Sequence, residues 1–492
     1  MASLEELRAA RLAKLKILQE RNINPFSAES FYTHTIKEAV DNFDAFSAEN
    51  KIITLAGRVL SFRGQGALIF VNFFDGTETF QALLKKDDLT DQFTLFNDTV
   101  DIGDFIELTG SLFLTKTQQK TIQVSNWRIL TKSLRPLPDK WDGLQNEEEK
   151  LRKRYLDILS NKEVSDLIVK KSVFWKTARD FMEARGFMGV ETPVIENTTG
   201  GAEARPFITH YNAFDADAFL RISPELWLKR LIVAGYPKVY EIGRIFRNEG
   251  IDADHVQDYT QLEFYWAFSD YRHGMKLVQE LYRELAQQTF GTQQFNIRGF
   301  EVDLSAEWKN YDYVGTIEEM TGINVMQSDV KTIENKLQEL AVDYDKQNFN
   351  WNRATDTLWK WCRKKIGGPG FLINVPVAME PLAKRMEDND QLVERFQVII
   401  AGTEMGKGFS ELNDPIDQLG RFEHQAELRA QGDDEAQMMD SDFVEALEYG
   451  MPPTFGFGVS ERLFSVLAGK PLRETQIFPF MRKIEKETGE EK

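Results

Sequence analysis

Apolar and polar residues alternate with different periods along the chain, and the changes of period divide it. Ser3-Leu4-Glu5-Glu6 has the form of a capping box, in which each side chain satisfies a free backbone N–H of a first helical turn. The helix it predicts runs to about Glu20, ahead of Pro25, with an apolar stripe of Leu4, Leu7, Leu15 and Leu18. Arg8, Arg11 and Lys14 repeat every three residues on another face, which either meets solvent or contacts RNA phosphates. From Lys51 to Leu130 the period shortens to that of strands. Ile53–Val59, Ala67–Phe73, Thr79–Leu84, Phe105–Gly110 and Thr121–Trp127 are strand-like, and Asp75-Gly76 makes a hairpin turn. Five strands in about 80 residues suit a small closed barrel; an OB-fold is the best candidate, though periodicity alone fits other small barrels.

Arg135-Pro136-Leu137-Pro138-Asp139 reads as a linker, because two prolines at that spacing forbid regular structure. Asn146 to Ser160 and about Lys162 to Ala184 are predicted helices, the second closed by Gly186. The remainder mixes long helices with strands and has no internal repeat, as expected of an α+β domain around an antiparallel sheet. The division expected is an N-terminal helical extension over 1–50, the barrel over 51–134, a linker over 135–145 and a second domain over 146–492.

Composition narrows the functional classes. The 492 residues suffice for two or three domains with a large core. No apolar run approaches the ~20 residues of a membrane span, and the charged first residues lack a signal peptide's apolar stretch, so a cytoplasmic protein without membrane contact is expected. Cys362 is the only cysteine, which excludes an internal disulfide and, with five scattered histidines, a Cys/His zinc site. The net charge of −18 argues against a nucleic-acid partner only on average, since RNA binding needs a local basic surface and exposed rings.

Three segments carry candidate chemistry. Val239–Arg247 and Tyr259–Tyr265 alternate as two strands around a polar loop; an arginine at a strand end suits a bidentate phosphate clamp, and Glu263 and Tyr265 share a face. Glu404-Met-Gly-Lys-Gly-Phe-Ser-Glu411 places two carboxylates seven residues apart, a candidate pair of Mg²⁺ ligands. Gly456-Phe-Gly-Val-Ser-Glu-Arg462 leads into a helix start where backbone N–H groups and an arginine suit a polyphosphate. Taken singly, each segment is equally well a plain hairpin, an exposed acidic loop or a glycine-rich turn.

Their joint order resembles that of the class II aminoacyl-tRNA synthetases, and specifically the lysyl-tRNA synthetase family. Gly186-Phe-Met-Gly-Val-Glu-Thr-Pro193 is similar to motif 1, Phe246-Arg247-Asn-Glu249 with His255 and Tyr259–Tyr265 to motif 2, and Gly456–Arg462 to motif 3. The similarity extends over about 480 residues, including Arg135-Pro-Leu-Pro-Asp-Lys140, Arg154-Tyr-Leu-Asp157 and Gly200-Gly-Ala-Glu-Ala-Arg-Pro-Phe207. The resemblance implies an antiparallel-sheet class II catalytic domain behind an anticodon-binding OB-fold, and a homodimer built through motif 1. It implies ATP, L-lysine and tRNA(Lys) as substrates and Mg²⁺ as cofactor. Arg247 and Arg462 would be catalytic, Arg247 on the α-phosphate and substrate carboxylate and Arg462 near the γ-phosphate. Glu249 and His255 would contact ATP, Tyr259 would stack on adenine, and Glu404 and Glu411 would hold Mg²⁺. Gly201, Glu225, Glu263, Tyr265 and Asn413 match lysine-binding positions, and Arg63, Phe70 and Gln81 match positions that meet the anticodon.

A buried ammonium demands opposite charge and hydrogen-bond acceptors, which Glu225, Glu263 and Tyr265 supply, whereas an aspartate pocket needs the reverse sign. Such a site rejects an uncharged analogue by ~10⁴-fold or more. The rival expectations are an aspartyl- or asparaginyl-type ligase and a catalytically silent RNA-binding paralogue. The latter should have lost Arg247, Glu404, Glu411 or Arg462, and all four are present. Several neighbours depart from the family pattern: Asp254 stands for arginine, Val256 for asparagine, Gln261 for an apolar residue, Ala378 for glutamate, Glu380 for serine, Lys407 for asparagine and Ser460 for glycine. Asp254, an acid beside the phosphates, is expected to point away from the nucleotide. Glu263→Gln is expected to weaken lysine use far more than ATP use in steady-state kinetics; equal losses would remove its assigned role.

Overall fold

The computed structural model describes residues 3–138, 144–250, 252, 255–346, 349–431 and 436–483. Asp254 and residues 139–143 of the expected linker lie outside them. The chain forms two compact units, Met1–Ser160 and Asn161–Lys492.

In the first unit the capping box forms as expected: Ser3 and Glu6 exchange side-chain and backbone bonds at the start of α1 (Leu4–Glu20). The basic face of α1 has a different use from either one expected. Arg11 is buried and donates to the carbonyl oxygens of Ile102, Ser133 and Arg135, at 2.9, 3.1 and 2.9 Å. Lys14 pairs with Asp101 at 2.7 Å. These cations fasten the helix to the barrel, because buried carbonyls at a chain turn need donors. Only Arg8 is left on the exposed face.

The barrel comprises β1 (Ile52–Gln65), β2 (Leu68–Phe74), β3 (Thr79–Lys85), β4 (Phe105–Leu114) and β5 (Lys120–Thr131). It closes in the order β1-β2-β3-β5-β4, with β3 and β5 parallel and β1 against β4. Ile69, Val71 and Phe73 alternate into the barrel core, so Phe70 points outward rather than inward. Arg63 pairs directly with Phe70, and Asn72 with Gln81, which sets Arg63, Phe70 and Gln81 on the same outer face. Beyond the barrel, the helix expected over Asn146–Ser160 is two, Glu147–Arg152 and Arg154–Ser160, broken where Lys153 leaves helical geometry (φ −108°, ψ 42°).

The second unit is built on an eight-stranded sheet. In chain order its strands are β6 (Met188–Gly189), β7 (Lys238–Phe246), β8 (Asp258–Ala267), β9 (Lys309–Asp312), β10 (Gly370–Pro376), β11 (Leu392–Ile400), β12 (Thr403–Ser410) and β13 (Thr454–Ser460). Across the sheet they run β9-β10-β11-β12-β13-β8-β7-β6, antiparallel except at both edges. Alternation splits the two faces. Leu262 and Phe264 of β8, Phe396 and Val398 of β11 and Phe455 and Phe457 of β13 pack under α2 (Lys162–Glu183) and a later long helix, Tyr271–Phe290. The opposite face carries Gln261, Glu263, Tyr265, Arg395, Gln397 and Lys407. The segment 186–193 forms the edge strand β6, and its Met188 and the Val194 and Ile195 that follow it are exposed. Among the described residues no helix is long and apolar enough to cross a membrane.

The buried Lys132 ammonium joins Asp101 (2.6 Å) and Asp104 (2.7 Å) at the base of the barrel. Removing one partner leaves buried charge uncompensated, so Lys132→Ala is expected to destabilise this unit by about 3–5 kcal/mol in urea unfolding followed by circular dichroism; a loss below about 1 kcal/mol would contradict it.

Candidate active site

Two polar clusters occupy the face of the sheet turned away from the long helices. The first surrounds Glu263 on β8. Its carboxylate accepts from Ser223 Oγ at 2.9 Å, Gln261 Nε2 at 2.5 Å and Tyr265 Oη at 3.2 Å. Gln261, one of the departures from the family pattern, thus contributes directly to this cluster. Glu225 begins the helix Glu225–Val233 (α3), and one turn later Lys229 Nζ meets its Oε1 at 2.6 Å. Lys229 also pairs with Glu411, and both of these side chains are fully buried. Oε1 of Glu411 is buried without a hydrogen-bond partner.

Glycines make room above these groups. A Cβ on Gly201 (φ +83°) would lie 2.7 Å from Glu225 Cβ and 2.9 Å from Ser223 Oγ, and a side chain at Gly456 would collide with Glu411 and Tyr265. Asn413 does not join this cluster through its amide. Its oxygen accepts from Lys384 (2.7 Å) and its nitrogen donates to the Met451 carbonyl (3.1 Å), joining the strand end to neighbouring loops.

Two carboxyl groups thus pair with one internal ammonium and a third, Glu263, lies in the same buried cluster, where each charge is expensive. Burial and then the nearby Glu225 charge push Glu263 up to about 7. Burial also raises Glu411 well above the carboxylate range, against the pull of Lys229. Burial disfavours the Lys229 ammonium, but Glu225 and Glu411 outweigh it and hold the group charged. The cluster is a buried acidic group in which carboxyls outnumber the one ammonium.

The second cluster lies toward the other end of β12. Arg247 follows β7, its backbone N–H held by the Gln257 carbonyl at 2.8 Å and its guanidinium 5.8 Å from the centre of the Tyr259 ring. Arg247 Nε is buried with no hydrogen-bond partner, a donor suited to an anion. Arg462 donates to the Glu404 carbonyl at 2.7 Å and lies 3.5 Å from His255 Nε2, whose other ring nitrogen faces Asp252 at 2.8 Å. Glu249 follows in the exposed turn after Arg247. Arg247, Glu249, His255, Tyr259, Glu404 and Arg462 therefore share one neighbourhood.

The structure corrects the pairing of Glu404 with Glu411. They sit at opposite ends of β12, about 20 Å apart at the rise of an extended strand, so one ion cannot bridge them. Glu411 belongs to the acidic pocket. Glu404 accepts from Trp359 Nε1 at 2.9 Å and faces Arg363 at 3.6 Å. Burial alone would raise its pKa, but Arg363, Trp359 and the more distant Arg395 and Arg462 outweigh burial and hold it low. Among the described residues no three His, Cys, Asp or Glu side chains converge as a metal site. The expected carboxylate pair does not fit Mg²⁺.

Sequence reasoning missed Lys229, Trp359 and Arg363. Lys229 was legible as the i+4 partner of Glu225 at a helix start. Trp359 and Arg363 lie in the helix Trp351–Arg363, whose packing beside β12 depends on tertiary contacts.

The antiparallel sheet, the arginines at its phosphate-suited end and the acidic pocket define a class II tRNA synthetase. The family model described as tRNA synthetases class II (D, K and N) matches residues 146–482, and that of the OB-fold nucleic acid binding domain matches residues 53–130. The chain is 40% identical over 496 residues to the lysine--tRNA ligase of Thermotoga maritima, covering 99% of this chain and 98% of that one. It is 41% identical over 484 residues to the lysine--tRNA ligase of Carboxydothermus hydrogenoformans, covering 97% and 98%. The corresponding Roseiflexus castenholzii protein is 40% identical over 485 residues, covering 97% and 99%. The chain belongs to the lysine--tRNA ligase family.

Burial pushes the Glu263 carboxyl up to about 7, so a substrate ammonium placed beside it would favour the ionised form. Below that pH it is protonated and attracts a cation less; above it the full charge is present. KM for lysine is therefore expected to fall roughly five- to tenfold between pH 6 and pH 8, and Glu263→Gln to flatten the profile. A flat wild-type profile would show that Glu263 does not face the lysine ammonium.

Proposed function

We infer that the chain activates L-lysine with ATP to lysyl-adenylate and pyrophosphate, then transfers lysine to the 3′ end of its tRNA. The observation that carries the lysine assignment is the buried cluster of Glu225, Glu263, Glu411 and Tyr265. Its excess of carboxyl groups over the single Lys229 ammonium is offset by one incoming ammonium. An aspartate side chain there would add a fourth acid to the three already present.

With lysine's ammonium in that pocket, its carboxylate extends over Gly458 toward Arg247. ATP lies at the opposite end of the face, with adenine against Tyr259, Glu249 and His255 beside it, and the phosphates between Arg247 and Arg462. Placement supplies most of the catalysis: the carboxylate attacks the α-phosphate in line, and the arginines stabilise charge gathering there. No general base is required, since the attacking carboxylate is ionised at neutral pH. The second step uses the same site, with the terminal ribose hydroxyl of tRNA attacking the adenylate. Mg²⁺ is expected to accompany ATP. Of the proposed ligand pair only Glu404 stands at this end, so no step is assigned to the ion.

Arg63, Phe70 and Gln81, on one outer face of the barrel, form a surface on which anticodon bases stack and hydrogen-bond, at about 1–3 kcal/mol per stacked base. Exposed Met188, Val194 and Ile195 support a homodimer through the motif 1 segment. A tRNA substrate suits a cytoplasmic protein.

ATP–pyrophosphate exchange by the purified chain, with lysine, aspartate, asparagine or ornithine supplied singly, tests the reading. Exchange with lysine alone is expected. Exchange with aspartate or asparagine would overturn the pocket assignment, and none with any amino acid would favour a silent RNA-binding protein.

A further inference from the structure

Two departures from the family pattern, Glu380 and Lys407, meet in space. Lys407 Nζ lies 3.2 and 3.4 Å from the two carboxylate oxygens of Glu380. Arg395 Nη1 holds the same carboxylate at 2.7 Å, and its other terminal nitrogen bonds Gln397. Glu380 and Arg395 are buried, whereas the Lys407 side chain is 45% exposed. Lys407 is therefore moored at one side and open at the other.

The register shows what it faces. Lys407 of β12 pairs with Gly458 of β13, which pairs with Glu263 of β8, so Lys407 and Glu263 project from the same face about 10 Å apart. Gly458 between them has no side chain and leaves that interval open. A bulge at Gly406 (φ +101°) sets three residues of β12 against two of β11, which turns Glu404 to the same face as Lys407. Arg395 and Lys407 thus hold the Glu380 carboxylate, Arg363 faces that of Glu404, and Arg462 bonds the Glu404 carbonyl.

We propose that Lys407 is a phosphate ligand of the bound nucleotide, supplying beside the α-phosphate positive charge that the separated Glu404 and Glu411 do not recruit as a shared divalent ion. This rests on the ATP site inferred above. A lysine whose ammonium occupies the acidic pocket brings its carboxylate over Gly458, to the place that Lys407 overlooks. Glu380 keeps the ammonium from folding back on Glu404, and Arg395 fixes Glu380. An ammonium on a flexible stem suits this role because it retains donors for phosphate while bonded to Glu380.

The test is equilibrium binding of ATP to the purified full chain by calorimetry, once with MgCl₂ and once with EDTA. Wild type is expected to bind in EDTA within about tenfold of its affinity in MgCl₂. Lys407→Gln is expected to lose at least about tenfold in EDTA and less in MgCl₂, and Lys407→Arg to stay within about threefold of wild type. Unchanged affinity of Lys407→Gln in both buffers would overturn the proposal, as would wild-type binding that vanishes in EDTA. Lysine-dependent exchange by the wild type reads the general function separately. ATP binding that depends on Lys407 without any exchange would sustain this proposal and defeat that one. Lys407 is half-exposed, so the variants should fold; matching circular dichroism is the control.

Discussion

The site is organised around the buried ammonium of Lys229. Without it, Glu225, Glu263 and Glu411 would stand as three buried acids with no cation among them, an arrangement that disfavours their charged forms. With it, Glu225 and Glu411 are tied to α3 and the end of β12, and the pocket keeps its shape before any ligand arrives. A cation held among buried acids fixes the position of the two it pairs with and leaves Glu263 to be held by Ser223, Gln261 and Tyr265. Glu263 lies outside the direct reach of Lys229, and burial pushes its carboxyl up to about 7.

The sheet converts this local arrangement into an oriented site. Its helix-covered face is largely apolar, and its other face runs along β12 from the buried acid Glu411 to Glu404, whose carbonyl Arg462 holds and whose carboxylate Arg363 faces. A substrate pair with an ammonium at one end and a polyphosphate at the other has one orientation that matches both ends. Specificity and alignment thus share one electrostatic source.

Much of this was legible in the sequence where period and chain spacing coincide. The alternation of β7 and β8 placed Glu263 and Tyr265 on one face, and the barrel strands and the box at Ser3 followed from local pattern. The Glu404–Glu411 pair misled because seven residues look close in a sequence yet span most of a strand when extended. Arg11 and Lys14 misled for the opposite reason: a surface-like repeat was claimed by carbonyls and an acid brought from about 90 to 120 residues away. The hold of Trp359 and Arg363 on Glu404 depends on how a helix packs beside the sheet, which no local repeat encodes.

The bulge at Gly406 makes β12 a counting device. Upstream of it the side chains keep one parity and downstream the other, so the strand can present both Glu404 and Lys407 to the substrate while Met405 remains in the core. Deleting one residue there would restore a regular ladder and reverse one half of the strand, driving either an ammonium or a carboxylate beneath the helices. The glycine-rich stretch, which in isolation resembles a tolerant loop, is for that reason among the parts of this chain least free to change length.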